Sequence, residues 1–226
     1  MSNFTVHVLD HIPFNVNFKE LARKAHVPAE KELEEKTGKL LNMALEAASP
    51  KALFRVCYIT DRKEDKVTVE GVKFKSSLLS EKLSGVERVF PYLATCGTEL
   101  DKIPIDRNDF MSEYLLDVIK EMALNTARKH LRNYLKENLG LKKIAYMSPG
   151  SGEYHFWPIQ QQRELFSLLG DTRKLVGVTL TESFLMIPNK TVSGLFFPTE
   201  VTFETCELCS RENCPSRKAP FKGKMP

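Results

Sequence analysis

The chain has 226 residues, of which 42% are hydrophobic and 27% charged, and its formal net charge is +4. Those proportions are ordinary for a globular protein able to bury a substantial core. The cations are spread along the chain and balanced by 29 acids. With no interleaved aromatic platform or recognition motif beside them, nucleic-acid binding is unsupported. The first residues, MSNFTVHVLDHIPF, lack the basic start and apolar stretch of a signal peptide. No run approaches the roughly 20 apolar residues that cross a bilayer. A cytoplasmic protein is therefore expected, with its five cysteines as thiols or ligands rather than disulfides.

In chain order, residues 4–9 alternate and read as a strand, and a helix begins at Asn17. A second helix, 29–48, carries an amphipathic stripe of Leu33, Leu40, Leu41, Ala44 and Leu45, closed by Ser49-Pro50. Residues 52–60 predict a buried strand, 61–65 a polar turn and 66–74 a second, alternating strand of the same hairpin. Residues 87–96 predict another strand, and 109–138 the longest helix, stopped at Gly140. An irregular segment rich in glycine, proline and aromatics follows, then a short helix at 160–169. Trp157, the only tryptophan, is expected in the core. The apolar runs 175–181 and 191–197 are expected as strands, with 183–190 a loop between them. Strands and helices mixed without regular alternation favour an α+β fold. The chain divides as 1–88, an N-terminal part; 89–204, the body; and 205–226, a cysteine-rich basic tail.

Two features carry chemistry. Ser148-Pro149-Gly150-Ser151-Gly152 is a loop whose backbone N–H groups can approach a ligand. Downstream, Thr181, Glu182 and Ser183 stand amid apolar residues, followed by Met186-Ile187-Pro188 and Val192-Ser193-Gly194. Such polar groups need hydrogen-bond partners, supplied either by backbone or by a polar ligand.

The order and spacing of SPGSGEYHFWPIQQQRELFSLL and GVTLTESFLMIPNKTVSGLFF resemble the activation domain of cobalamin-dependent methionine synthase. The likeness is dense over residues 90–200 and extends upstream to ATCGTELDK and the long helix. It implies a curved α+β domain on a twisted antiparallel sheet flanked by helices. It also implies a domain that binds S-adenosylmethionine and docks over a corrinoid, where one electron and a methyl group restore methylcobalamin after accidental oxidation. The protein's part is to position the sulfonium methyl against the cobalt. Residues Tyr146, Ser148, Pro149, Gly150, Glu182, Ser183, Ser193 and Gly194 are the expected lining of that site; no catalytic residue is named.

Two departures stand out. An arginine of the family's loop holds the methionyl carboxylate, a charge-assisted contact. Here Tyr146 takes its place, and Ser151 stands where a tyrosine is usual. Lys142, Lys143 and Arg163 are the sequence candidates for the missing positive charge.

Cys206, Cys209 and Cys214 form a C-x2-C-x4-C cluster in a short polar segment. Thiolates so spaced can converge on a soft metal, with Cys96 the expected fourth ligand. The low-potential electron needed for corrinoid reactivation favours an iron–sulfur cluster over zinc; a redox-reactive tail or unused thiols are the remaining readings. Arg217 and Lys218 would then tune such a cluster or, with Lys222 and Lys224, steer an acidic electron donor. The expected role is a stand-alone reactivation partner of a corrinoid methyltransferase. The alternatives are a non-catalytic module capping a corrinoid protein, and a zinc-stabilised structural subunit.

Overall fold

The computed structural model describes residues 5–28, 30–200, 203–214 and 217–223; Phe4, Ala29 and Lys224, which figured in the expectations above, lie outside them. The first strand, β1 (Val6–Leu9), leads to α1 (Phe18–Ala25). A capping box starts α1: Asn17 Oδ1 accepts from the Glu20 amide at 2.9 Å, and Glu20 Oε2 from the Asn17 amide at 3.2 Å. In α2 (Lys31–Ala47), Thr37, Leu40, Leu41 and Ala44 are buried at helical spacing.

Strands β2 (Lys51–Arg55) and β3 (Cys57–Lys63) realise the strand expected at 52–60 as one broken line along β6 (Arg88–Thr95). The register runs on unchanged from Phe54↔Tyr92 to Cys57↔Val89, and Pro91, with no amide hydrogen, falls in the gap. The alternating run 66–74 is two strands, β4 (Lys66–Val69) and β5 (Val72–Lys75), not one. Glu70 (φ 49°) and Gly71 (φ 83°) both turn left-handed, the geometry of a two-residue hairpin. Helix α3 (Ser77–Lys82) is capped by Ser76. Helix α4 (Phe110–Leu139) begins at its Asp109 cap and ends at Gly140, as its periodicity requires.

After β7 (Ile144–Met147) come α5 (Gln162–Leu169) and α6 (Thr172–Val176). The strand expected over 175–181 is a correction. Asp171 Oδ1 accepts from the Lys174 amide at 3.1 Å, and this cap starts a helix that takes in Leu175 and Val176, the first two residues of the run, before Gly177 (φ 75°) ends it. Only β8 (Thr179–Leu180) remains extended, and the loop expected at 183–190 holds its partner β9 (Met186–Ile187). The last strand is β10 (Thr191–Pro198).

Among the described residues, β1–β7 and β10 form one eight-stranded antiparallel sheet, with β10 between β6 and β7. Its central strands are covered on both faces. Phe90, Tyr92 and Phe196 point to a cluster shared with α1, α2 and α4, whereas Val89, Leu195 and Phe197 point to one built with α3, α5 and Trp157. Trp157 is fully buried, its ring edge-on to Phe74 at 5.5 Å. The result is a mixed α+β architecture, helices flanking an antiparallel sheet, in agreement with the expectation. No described helix is long and apolar enough to cross a membrane.

Candidate functional site

A cleft of about 600 Å³ opens where β7, the start of β10, the β8–β9 hairpin and the C-terminal tail meet. The pairing of β10 with β7 sets Phe196 opposite Tyr146 and so builds its aromatic wall. Tyr92 stacks on Phe196 with centroids 4.0 Å apart, and Tyr146 meets Phe196 edge-on at 5.9 Å. Burial pushes the Tyr92 phenol up to about 12, so it stays protonated, and a hydrogen bond joins it to Ser148.

The loop after β7 delivers Ser148, Pro149, Gly150 and Ser151 to the cleft. Gly150 has φ 75°, and its amide donates to the Trp157 carbonyl at 2.7 Å. A side chain there would also meet Ile159, a Cβ standing only 2.7 Å from its Cδ1. Ser193 lines the cleft from β10. Gly194 beside it is buried and does not; a Cβ at Gly194 would stand 2.4 Å from the Met147 carbonyl oxygen. Its lack of a side chain is what lets β7 and β10 approach.

Glu182 and Ser183 are exposed at the tip of the β8–β9 hairpin and do not line the cleft. Thr181 holds that tip: its hydroxyl lies 3.0 Å from Ser183 Oγ and accepts from the Leu185 amide at 3.0 Å. Thr181, Phe184 and Leu185 face the cleft instead. The hairpin's polar motif thus satisfies itself locally and presents its apolar neighbours.

Among the cleft residues absent from the expected lining, three carry charge or a buried polar group. Arg128, half-buried on α4, approaches the Tyr146 ring to 5.8 Å, while Arg132 one turn on donates to the Ile144 carbonyl at 3.3 Å. The second is Gln162, 2% exposed, whose amide nitrogen has no partner among the described residues. The third is Lys218, which donates to the Tyr146 hydroxyl from 4.9 Å above its ring centre. Glu204 Oε2 accepts from the same hydroxyl at 3.4 Å. Burial, then the Glu204 charge, raises the Tyr146 phenol above its ordinary value.

The three sequence candidates for the missing charge lie elsewhere. Lys142 and Lys143 stand beside Pro198 and Glu200, at the far end of β7 from the cleft. Arg163 donates to the Glu182 carbonyl at 3.2 Å and stacks on Phe184 without lining the cleft. No signal in a single sequence distinguishes Arg128 from its neighbours on α4, since only helix docking aims it.

The expected metal ligands do not fit a metal. Among the described residues no three His, Cys, Asp or Glu side chains converge to hold one. Cys96 is fully buried in the cluster formed with α1, α2 and α4, its thiol raised to about 12 by burial and donating to the Gly97 carbonyl at 3.3 Å. Cys206, Cys209 and Cys214 are half-buried free thiols, of which Cys206 lines the cleft. The turn they lie in closes on a guanidinium: Arg217 donates to the carbonyls of Cys206 at 2.9 Å, Cys209 at 3.0 Å and Ala219 at 3.1 Å, and to that of Arg211. Of the tail's described cations Arg217 is turned inward, while Lys222, exposed, pairs with Glu207 at 2.9 Å.

The profile of the family described as "Vitamin B12 dependent methionine synthase, activation domain" matches residues 106–215. A solved structure described as the crystal structure of the MetH reactivation domain bound to AdoHcy is similar in fold. The TM-score is 0.59 over 90% of this chain and 82% of that one, at 14% identity. Among curated proteins none matches the sequence. Residues 106–215, which hold the cleft's loop, its hairpin and all of α4, are thus similar to the vitamin B12 dependent methionine synthase activation domain.

Proposed function

We propose that the cleft binds S-adenosylmethionine and that the chain acts as a separate, cytoplasmic reactivation partner of a corrinoid methyltransferase. The observation that carries the reading is a cleft the size of a nucleoside-containing ligand, lined by the 148–151 loop on which the family resemblance centres. The bound sulfonium would supply an electrophilic methyl group, accepted by a partner's corrinoid cobalt once an electron donor has reduced it, leaving S-adenosylhomocysteine. This chain's residues hold and orient. The 148–151 loop and Gln162 offer hydrogen-bonding groups, Ile159, Phe184 and Val192 offer apolar surface, and Arg128 and Lys218 form a cationic end.

The cleft mouth suits docking. Leu185 and Ile187, 65% and 55% exposed on the hairpin, form the outer part of the lining, an apolar rim of the kind that marks contact sites. The Tyr146 phenol, already engaged by Lys218 and Glu204, favours a second reading in which the chain only caps a corrinoid protein.

One pair of measurements decides. Calorimetry should show S-adenosylmethionine binding to the isolated chain, and addition of the chain should restore methylation of a cob(II)alamin-loaded partner supplied with an electron donor. No heat and no thermal shift at millimolar ligand would leave the capping reading. Binding without remethylation would remove the reactivation role.

A further inference from the structure

The tail does more than follow the domain. Glu204, Thr205, Cys206 and Lys218 are part of the cleft wall, yet the family match stops at residue 215, before Arg217 and Lys218. What folds the tail back is Arg217, whose planar fork is satisfied by four backbone carbonyls, on Cys206, Cys209, Arg211 and Ala219. The Ser210 amide adds a tie to the body, donating to Glu153 Oε1 at 3.1 Å. Lys218, next to this staple, is thereby carried over the Tyr146 ring.

At that end the cleft has an unbalanced charge. Its lining holds two cations, Arg128 and Lys218, against one carboxylate, Glu204. Lys218 is held below the ordinary lysine range, first by burial and next by the Arg128 charge. An anion placed between the two cations would relieve that repulsion and gain charge-assisted hydrogen bonds from both.

We propose that the C-terminal tail is a strap, folded around Arg217, that brings Lys218 into the cleft, where it and Arg128 together hold the anionic end of the ligand. The inference rests on the reading of the cleft as a site for S-adenosylmethionine, whose α-carboxylate is then the group held. The positive charge absent at Tyr146 is supplied by a helix on one side and by the strap on the other. The strap also makes ligand affinity depend on a residue that never touches the ligand.

The test uses the full chain and two ligands, S-adenosylmethionine and 5′-methylthioadenosine, which keeps the nucleoside and lacks the carboxylate. Lys218→Gln and Arg128→Gln should each weaken S-adenosylmethionine by about tenfold or more and leave 5′-methylthioadenosine unchanged. Arg217→Gln should reproduce the Lys218→Gln loss by releasing the strap. Lys218 lies at the surface of the tail with only its inner side against the cleft and belongs to no core cluster, so its substitution leaves the core fold intact and its result is readable even where Arg128→Gln unfolds. Wild type binding S-adenosylmethionine with Lys218→Gln binding it equally well overturns the strap alone, as does equal weakening of both ligands. Wild type binding neither ligand overturns the reading of the cleft, and the strap with it.

Discussion

The guanidinium carbon of Arg128 lies 5.8 Å from the centre of the Tyr146 ring, and the two come from different elements, the middle of α4 and the third position of β7. Arg132, on the same flank of α4, binds a β7 carbonyl and fixes the distance between helix and strand. Tyr146 therefore faces an existing cation, with Lys218 a second.

Restoring an arginine at Tyr146 should for that reason harm this chain. Tyr146→Arg would set a third positive charge against Arg128 and Lys218, costing roughly 1–2 kcal/mol at this partly solvated site. Arg128→Gln combined with Tyr146→Arg should recover most of the loss. A double-mutant cycle by urea unfolding measures the coupling, and simple additivity would contradict it.

Gln162→Met keeps the volume of the side chain and removes a buried donor that has no acceptor among the described residues. The ligand-free protein should be as stable as wild type or gain up to about 1–2 kcal/mol, because an unmade hydrogen bond costs more than a missing one. S-adenosylmethionine affinity should fall in the same variant. A marked loss of stability without ligand would show that the amide has a partner in the fold.

The five thiols should divide into two classes. Cys57 and Cys96 are fully buried, and burial raises both thiols to about 12, leaving almost no thiolate at neutral pH. Cys206, Cys209 and Cys214 are half-buried in the tail. Titration with a disulfide reagent at pH 8 should release three equivalents from native protein and two more only after denaturation. Protection of the three tail thiols by added zinc would reinstate a metal site in the tail.

Asp109 accepts from Lys36 Nζ at 2.7 Å and from the Ser112 amide at 3.1 Å, capping α4 and tying it to α2. The Lys36 bond first, then those from Ser112, lowers its carboxyl from 3.8 to about 2. A depressed carboxylate stabilises the fold above its unfolded-state pKa, and that contribution is lost as pH falls through the folded one. Asparagine keeps the cap and removes the charge. The stability difference between wild type and Asp109→Asn should be constant above about pH 4 and vanish towards about pH 2. A difference persisting unchanged at pH 2 would place its origin outside this ionisation.

Local signals were sufficient for much of the fold. Periodicity and a terminal glycine located α4, and burial on both faces made β6 and β10 read as apolar runs. They failed where a cap or a turn outweighed side-chain preference. Asp171 drew the first two residues of the run 175–181 into α6, and Glu70-Gly71 folded one alternating stretch into two strands. In the site, the 148–151 loop and Ser193 were legible as motif residues and do line the cleft. Glu182 and Ser183 were equally legible and lie on the exposed hairpin tip, since spacing along a strand does not say which way a turn will face.

By itself, then, the sequence determined the mixed α+β class, the principal helix and central strands, and the family resemblance borne by residues around LTES, MIP and VSG. Those depend on interactions within a few turns of chain or on order along it. Tertiary structure alone decided the cleft's chemistry. The docking of α4 aims Arg128, the packing of α5 buries Gln162 beside the loop, and the Arg217 staple returns Lys218 to Tyr146. It also decided that Cys96 lies in the core, while the tail turn closes on a guanidinium. The physical reason is that cysteine spacing limits which thiols can meet, whereas the direction of each side chain is set by contacts made far away along the chain.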